Sequence, residues 1–98
     1  MIKVAVDSHI SPSVDNYAYG KFKVIYVAPE GEQDEIWIEE ALAKGATVLV
    51  SRDADVVDYI YRNNIEDVQV IFPPQELTKN QQARYVTGAI KKMMKKTN

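Results

Sequence analysis

Four aspartates could do chemistry in this chain if the fold brings them together: Asp7, Asp34, Asp53 and Asp55. Asp7 closes an apolar run, Ile2-Lys3-Val4-Ala5-Val6. Asp53 and Asp55 follow a second run, Thr47-Val48-Leu49-Val50, across Ser51 and Arg52. Asp34 opens a segment of helical spacing. Converging carboxylates repel one another and raise each other's pKa, and a hard cation relieves that repulsion. Mg²⁺ or Mn²⁺, held by a few carboxylates with its waters largely kept, is the natural occupant. Such an ion activates a water and stabilises charge on a phosphodiester, so the chemistry suggested is metal-assisted nucleolytic hydrolysis.

Other chemistries are excluded by what the chain lacks. Without cysteine there is no disulfide, thiol nucleophile or cysteine zinc site. No P-loop or G-x-G-x-x-G follows a strand, and the single histidine, His9, rules out a multi-histidine zinc centre. Each acid also has a plain structural reading. Asp34, and Asp53 or Asp55, suit helix starts, and Asp7 suits a turn. Ser51 and Arg52 suit a loop, with Arg52 pairing an acid, and His9 reads as a loop residue. Tyr59, Tyr61 and Tyr85 read as the edge of the core rather than a base-stacking platform. The joint placement of the acids carries the argument, not any one of them.

The elements that must position them follow from periodicity. At 98 residues the chain is expected to form one domain, 1–98. Ile2 to Val6, Phe22 to Ala28, Thr47 to Val50 and Val68 to Phe72 are short β-branched runs that predict strands. Ser11-Pro12 predicts the start of a short helix stopped at Gly20. Trp37, Ile38, Ala41 and Leu42 predict a second helix from Asp34, ended by Gly45. Val56, Val57, Ile60 and Tyr61 predict a third, broken at Asn63-Asn64. Thr78 and Gln81 form a capping box that opens a fourth, with Val86, Ile90 and Met93 turned to the sheet. Strict alternation predicts an α/β fold of three layers around a four-stranded parallel sheet with right-handed crossovers. Strand order 2-1-3-4 is expected. It puts the topological switch between the first and third strands, so that Asp7 and Asp53 face one crevice.

Net charge is −2, but its distribution is uneven. From Glu30 to Asp67 there are eleven acids against three basic residues; from Lys79 onward there are six basic residues and no acid. The basic helix, about 79–96, therefore offers Arg84, Lys91, Lys92 and Lys95, with Arg52, as a candidate anion-binding face, one able to hold a nucleic-acid backbone. The lysines of its last turns also complement the helix dipole. No signal peptide is read at the N-terminus and no apolar run approaches roughly 18 residues, so a soluble cytoplasmic protein without membrane contact is expected.

Taken together, these residues resemble the short PIN-like domains, compact relatives of the PIN ribonucleases. The resemblance rests on Val6-Asp7-Ser8-His9-Ile10-Ser11-Pro12, on Asp34-Glu35-Ile36-Trp37 through Ala41 to Gly45, and on Val48-Leu49-Val50-Ser51-Arg52-Asp53-Ala54-Asp55-Val56. Ser8-His9 stands where the family has Glu-Asn, and Val56 where it has phenylalanine. The resemblance implies a divalent-metal-dependent ribonuclease, in one form the toxin half of a toxin–antitoxin pair. Asp7, Asp34 and Asp53 would then bind Mg²⁺ or Mn²⁺, with Asp55 as a further acid and Ser51 orienting a carboxylate or water. A rival reading is a catalytically silent PIN-like domain that binds a protein partner, antitoxin-like or other. A third, a receiver-like phosphoacceptor at Asp53, lacks the lysine such domains carry after a later strand.

Overall fold

The computed structural model describes residues 1–10, 14 and 22–96, without the side chains of Lys95 and Lys96. In chain order the elements are β1 (Ile2–Val6), β2 (Phe22–Val27), α1 (Asp34–Ala43), β3 (Val48–Val50), α2 (Ala54–Arg62), β4 (Gln69–Ile71) and α3 (Lys79–Lys96). The helix expected from Ser11 to Gly20 lies outside the described residues.

The strands form one sheet in the order β2-β1-β3-β4, and all three pairings are parallel. Parallel strands covered on both faces need apolar residues at every position rather than at alternate ones. Val4, Ala5 and Val6 of β1 and all of β3 are accordingly buried. Their alternation sorts them into two cores. Val4, Val6, Val48, Val50 and Ile71 face Ala83, Val86 and Ile90 of α3, with Met93 packed alongside. Ala5 and Leu49 face Trp37, Ile38 and Ala41 of α1 and Val56 of α2. This is the layering that right-handed crossovers require. The chain moves in one direction across the sheet through α1 and α2, so both lie on one face.

Local chemistry ends and starts the helices as the sequence suggests. Gly45 (φ +94°) follows α1, and Asn64 (φ +51°) follows α2, each in the left-handed region. Before α3, the Thr78 N–H donates to Gln81 Oε1 at 2.9 Å, and the Gln81 N–H donates to Thr78 Oγ1 at 3.3 Å. The reciprocal pair satisfies two amides that the helix leaves open. Among the described residues, no helix is long and apolar enough to cross a membrane.

Candidate metal centre

Asp7 lies one residue beyond β1, and its N–H still donates to Val50 O at 2.8 Å, so the ladder to β3 carries it inward. Asp7 is 7% exposed. The Ser51 hydroxyl donates to Asp7 Oδ2 at 2.8 Å; the Ser8 hydroxyl and the His9 N–H reach Oδ1 at 3.3 and 3.4 Å, near the limit for a hydrogen bond. Ser51 is fully buried, and its oxygen in turn accepts the Asp53 N–H at 3.0 Å. A single hydroxyl thus ties the end of β1 to the start of α2.

Asp53 caps α2: its Oδ1 accepts the Asp55 N–H at 2.9 Å. Asp34 is the first residue of α1, and its Oδ1 accepts the Trp37 indole N–H at 3.0 Å. Carboxylate oxygens of Asp34, Asp53 and Asp55 all lie within 4.8 Å of one another. Two helix N-termini meet here, and their partial positive charge offsets some of the repulsion among the three acids.

The offset is incomplete. Burial pushes the Asp34 carboxyl above its ordinary value of 3.8, the Trp37 bond opposes the shift, and a shared hydrogen bond with Asp53 and the charges of Asp53 and Asp7 add to it. An acid whose pKa is raised on folding binds protons more tightly in the folded state than in the unfolded one. Its contribution is therefore full below the unfolded pKa and is lost as pH rises through the folded value. Metal-free thermal stability is expected to fall from about pH 4 upward for this reason, the unfolded aspartate titrating near there. Asp34→Asn should remove that component and melt above wild type at neutral pH in chelator. A pH–melting series of the two proteins checks it; identical slopes would count against the repulsion.

Asp7, Asp34 and Asp53 line one cavity of about 710 Å³ at the carboxyl ends of β1 and β3. Glu32, His9, Phe72 and Gln75 line it as well. Arg52 is the one lysine or arginine among the lining residues, and its buried Nε has no hydrogen-bond partner. Gln75 donates to Arg52 O at 2.9 Å, which fixes the loop that carries it.

The expected residues are not all drawn into one place. The tight group of acids contains Asp55 where Asp7 was expected. Asp7 shares the cavity but is engaged by Ser51, and Asp55 is exposed beside it. Of the candidate RNA contacts, Arg52 alone lines this cavity. Arg84, Lys91 and Lys92 are exposed on α3, and Lys92 lines a separate cavity with Gln69, the first residue of β4. Met93 lines one cavity with Ile2 and Thr47, so the last turns of α3 lie at the amino edge of the sheet, opposite the acids. The Lys95 side chain lies outside the described ones. Trp37 acts as a donor to Asp34, a role its apolar spacing hid; the i, i+3 relation to Asp34 was the available signal. Tyr61 and Tyr85, read as core edge, are 83% and 45% exposed.

The fold and the crevice define a class: an open, all-parallel α/β domain with clustered carboxylates at its carboxyl edge. No family model, curated protein or solved structure matches the chain.

Proposed function

We propose that this chain is a divalent-metal-dependent ribonuclease of PIN-like type. The observation that carries the reading is the group of three carboxylates within 4.8 Å, set beside Asp7 in one cavity at the sheet's carboxyl edge. The donor set is all oxygen and carries high negative charge, which suits Mg²⁺ or Mn²⁺ rather than a softer metal. Asp34, Asp53 and Asp55 would hold the ion. Bound there, it supplies activation of water and neutralises charge developing on a phosphodiester.

The remaining groups have roles of their own. Trp37 fixes the orientation of Asp34, and the Ser51 hydroxyl fixes that of Asp7 and the entry of α2. Arg52, with a buried Nε left over, offers the phosphate a cation inside an otherwise acidic cavity. The resemblance of Val48 through Val56 to the PIN-like acid motif narrows phosphodiester hydrolysis to RNA.

Calorimetric titration with MnCl₂, alongside cleavage of labelled single-stranded RNA, tests this. Wild type is expected to bind Mn²⁺ and cleave; Asp34→Asn/Asp53→Asn should bind at least about tenfold more weakly and leave the RNA intact. Mn²⁺ affinity equal in the two proteins would remove the metal site. Metal binding without cleavage by wild type would remove the nuclease activity and leave a silent PIN-like domain.

A further inference from the structure

We propose that the outer edge of β4 docks an extended segment of a protein partner whose side chains alternate between apolar and acidic. Among the described residues β4 ends the sheet, with no strand beyond it. Gln69 donates to Thr47 O and Ile71 accepts from the Ser51 N–H, so both direct their peptide groups to β3. In a parallel ladder the residue between them must point the other way, which turns the Val70 N–H and C=O outward. An edge of this kind is a template for another strand.

The surroundings of that edge are apolar out of proportion. Among the described residues seven large hydrophobic side chains are exposed, and four of them (Val57, Tyr61, Phe72 and Tyr85) flank β4 or directly follow it. On the α2 side, Val57, Tyr61, Ile65, Val68 and Val70 line a groove of about 550 Å³. On the α3 side, a second groove of about 520 Å³ is lined by Arg84, Tyr85, Gly88 and Lys92, with Gln69 as its floor and no acid among its lining residues. A strand added to β4 sends alternate side chains into these two grooves.

Charge and spacing select the occupant. Arg84 and Lys92 are eight residues apart on α3, or about 12 Å along its axis. Side chains at i and i+4 of a strand are about 13 Å apart on one face. Two acids in that relation meet both cations, with a small residue between them over Gly88, where an added Cβ would touch nothing within 4 Å. Apolar residues at i+1 and i+3 then enter the α2 groove. A second copy of this chain does not fit. Pairing β4 with its mate about a two-fold axis sets α3 beside α3, and from Lys79 onward the chain carries six basic residues and no acid.

The probe is the capped peptide Glu-Val-Thr-Ile-Glu, flanked by serines, with Lys-Val-Thr-Ile-Lys as control, titrated into the intact chain and followed by amide NMR shifts and calorimetry. The glutamate peptide is expected to shift Val68 to Phe72, Val57 and Tyr85, and to bind at least about tenfold more tightly than the lysine peptide. Arg84→Glu/Lys92→Glu should reverse that preference, and Val57→Lys should weaken both peptides; all three positions are exposed, so the fold is retained. Asp53→Asn should leave binding unchanged, which separates this surface from the crevice. Absent binding, equal affinity for the two peptides, or shifts confined to the crevice would overturn the proposal. So would oligouridine shifting the Arg84–Lys92 groove while the peptide does not, or a concentration-dependent dimer broken by Val57→Lys.

Discussion

Trp37→Ala is expected to bring this protein close to unfolding at ambient temperature. Trp37 is 1% exposed and packs in the core between the sheet and the α1–α2 layer, together with Ile38, Leu49 and Val56. Truncating a buried tryptophan to alanine costs about 3–5 kcal/mol, because the cavity left behind collapses only in part. A domain of this size holds about 5–15 kcal/mol in all. The melting temperature should fall by about 12–40 °C, at about 4–8 °C per kcal/mol. Trp37→Phe separates packing from chemistry. It keeps most of the buried ring but removes the indole N–H, the one contact that lowers the pKa of Asp34. That variant should remain folded, titrate Asp34 at a higher pH than wild type, and bind Mn²⁺ more weakly at neutral pH. A urea midpoint moved to lower concentration at constant slope checks the alanine variant, and Asp34 carboxyl NMR shifts against pH check the phenylalanine one.

The second large effect is expected at Ser51. Its hydroxyl is fully buried, donates to Asp7 and accepts from the Asp53 amide. Ser51→Ala takes the 2.8 Å donor from a buried carboxylate and leaves the partly buried Asp53 amide without its acceptor. Hydrogen bonds to charged groups contribute about 1.5–3 kcal/mol, so a loss of about 2–3 kcal/mol and a drop of about 10–20 °C are expected. Ser51→Thr keeps the hydroxyl and should recover most of the loss, apart from strain from an added methyl in a closed site. A melting temperature within about 2 °C of wild type for Ser51→Ala would show that the relay from Asp53 through Ser51 to Asp7 carries no weight.

Most of the fold was legible because its signals are local. The parallel strands are buried on both faces, so Val4-Ala5-Val6 and Val48-Leu49-Val50 read as continuous apolar runs in any context. The helix ends rest on one or two residues each: Gly45, Asn64, and the Thr78–Gln81 pair, which forms in the structure as its spacing requires. Alternation of strands and helices, with the handedness of crossovers, then leaves few sheet orders, and 2-1-3-4 is the one adopted.

What only the tertiary structure decided is which side chains meet. Asp7, Asp53 and Asp55 all follow strands, and nothing in their spacing says that Asp7 turns onto Ser51 while Asp55 joins Asp34 and Asp53. Those orientations depend on a residue 44 positions away in the chain and on the cap of α2. The placement of charge was hidden for a similar reason. A run of lysines at the end of a helix says nothing of which sheet edge it reaches, and α3 carries Lys91 and Lys92 away from the acids. Tyr61 lies on the apolar stripe of its helix and Tyr85 beside that of α3, yet among the described residues no strand lies beyond β4 to cover them. Periodicity records which face of a helix is apolar; the width of the sheet beneath determines how much of that face is buried.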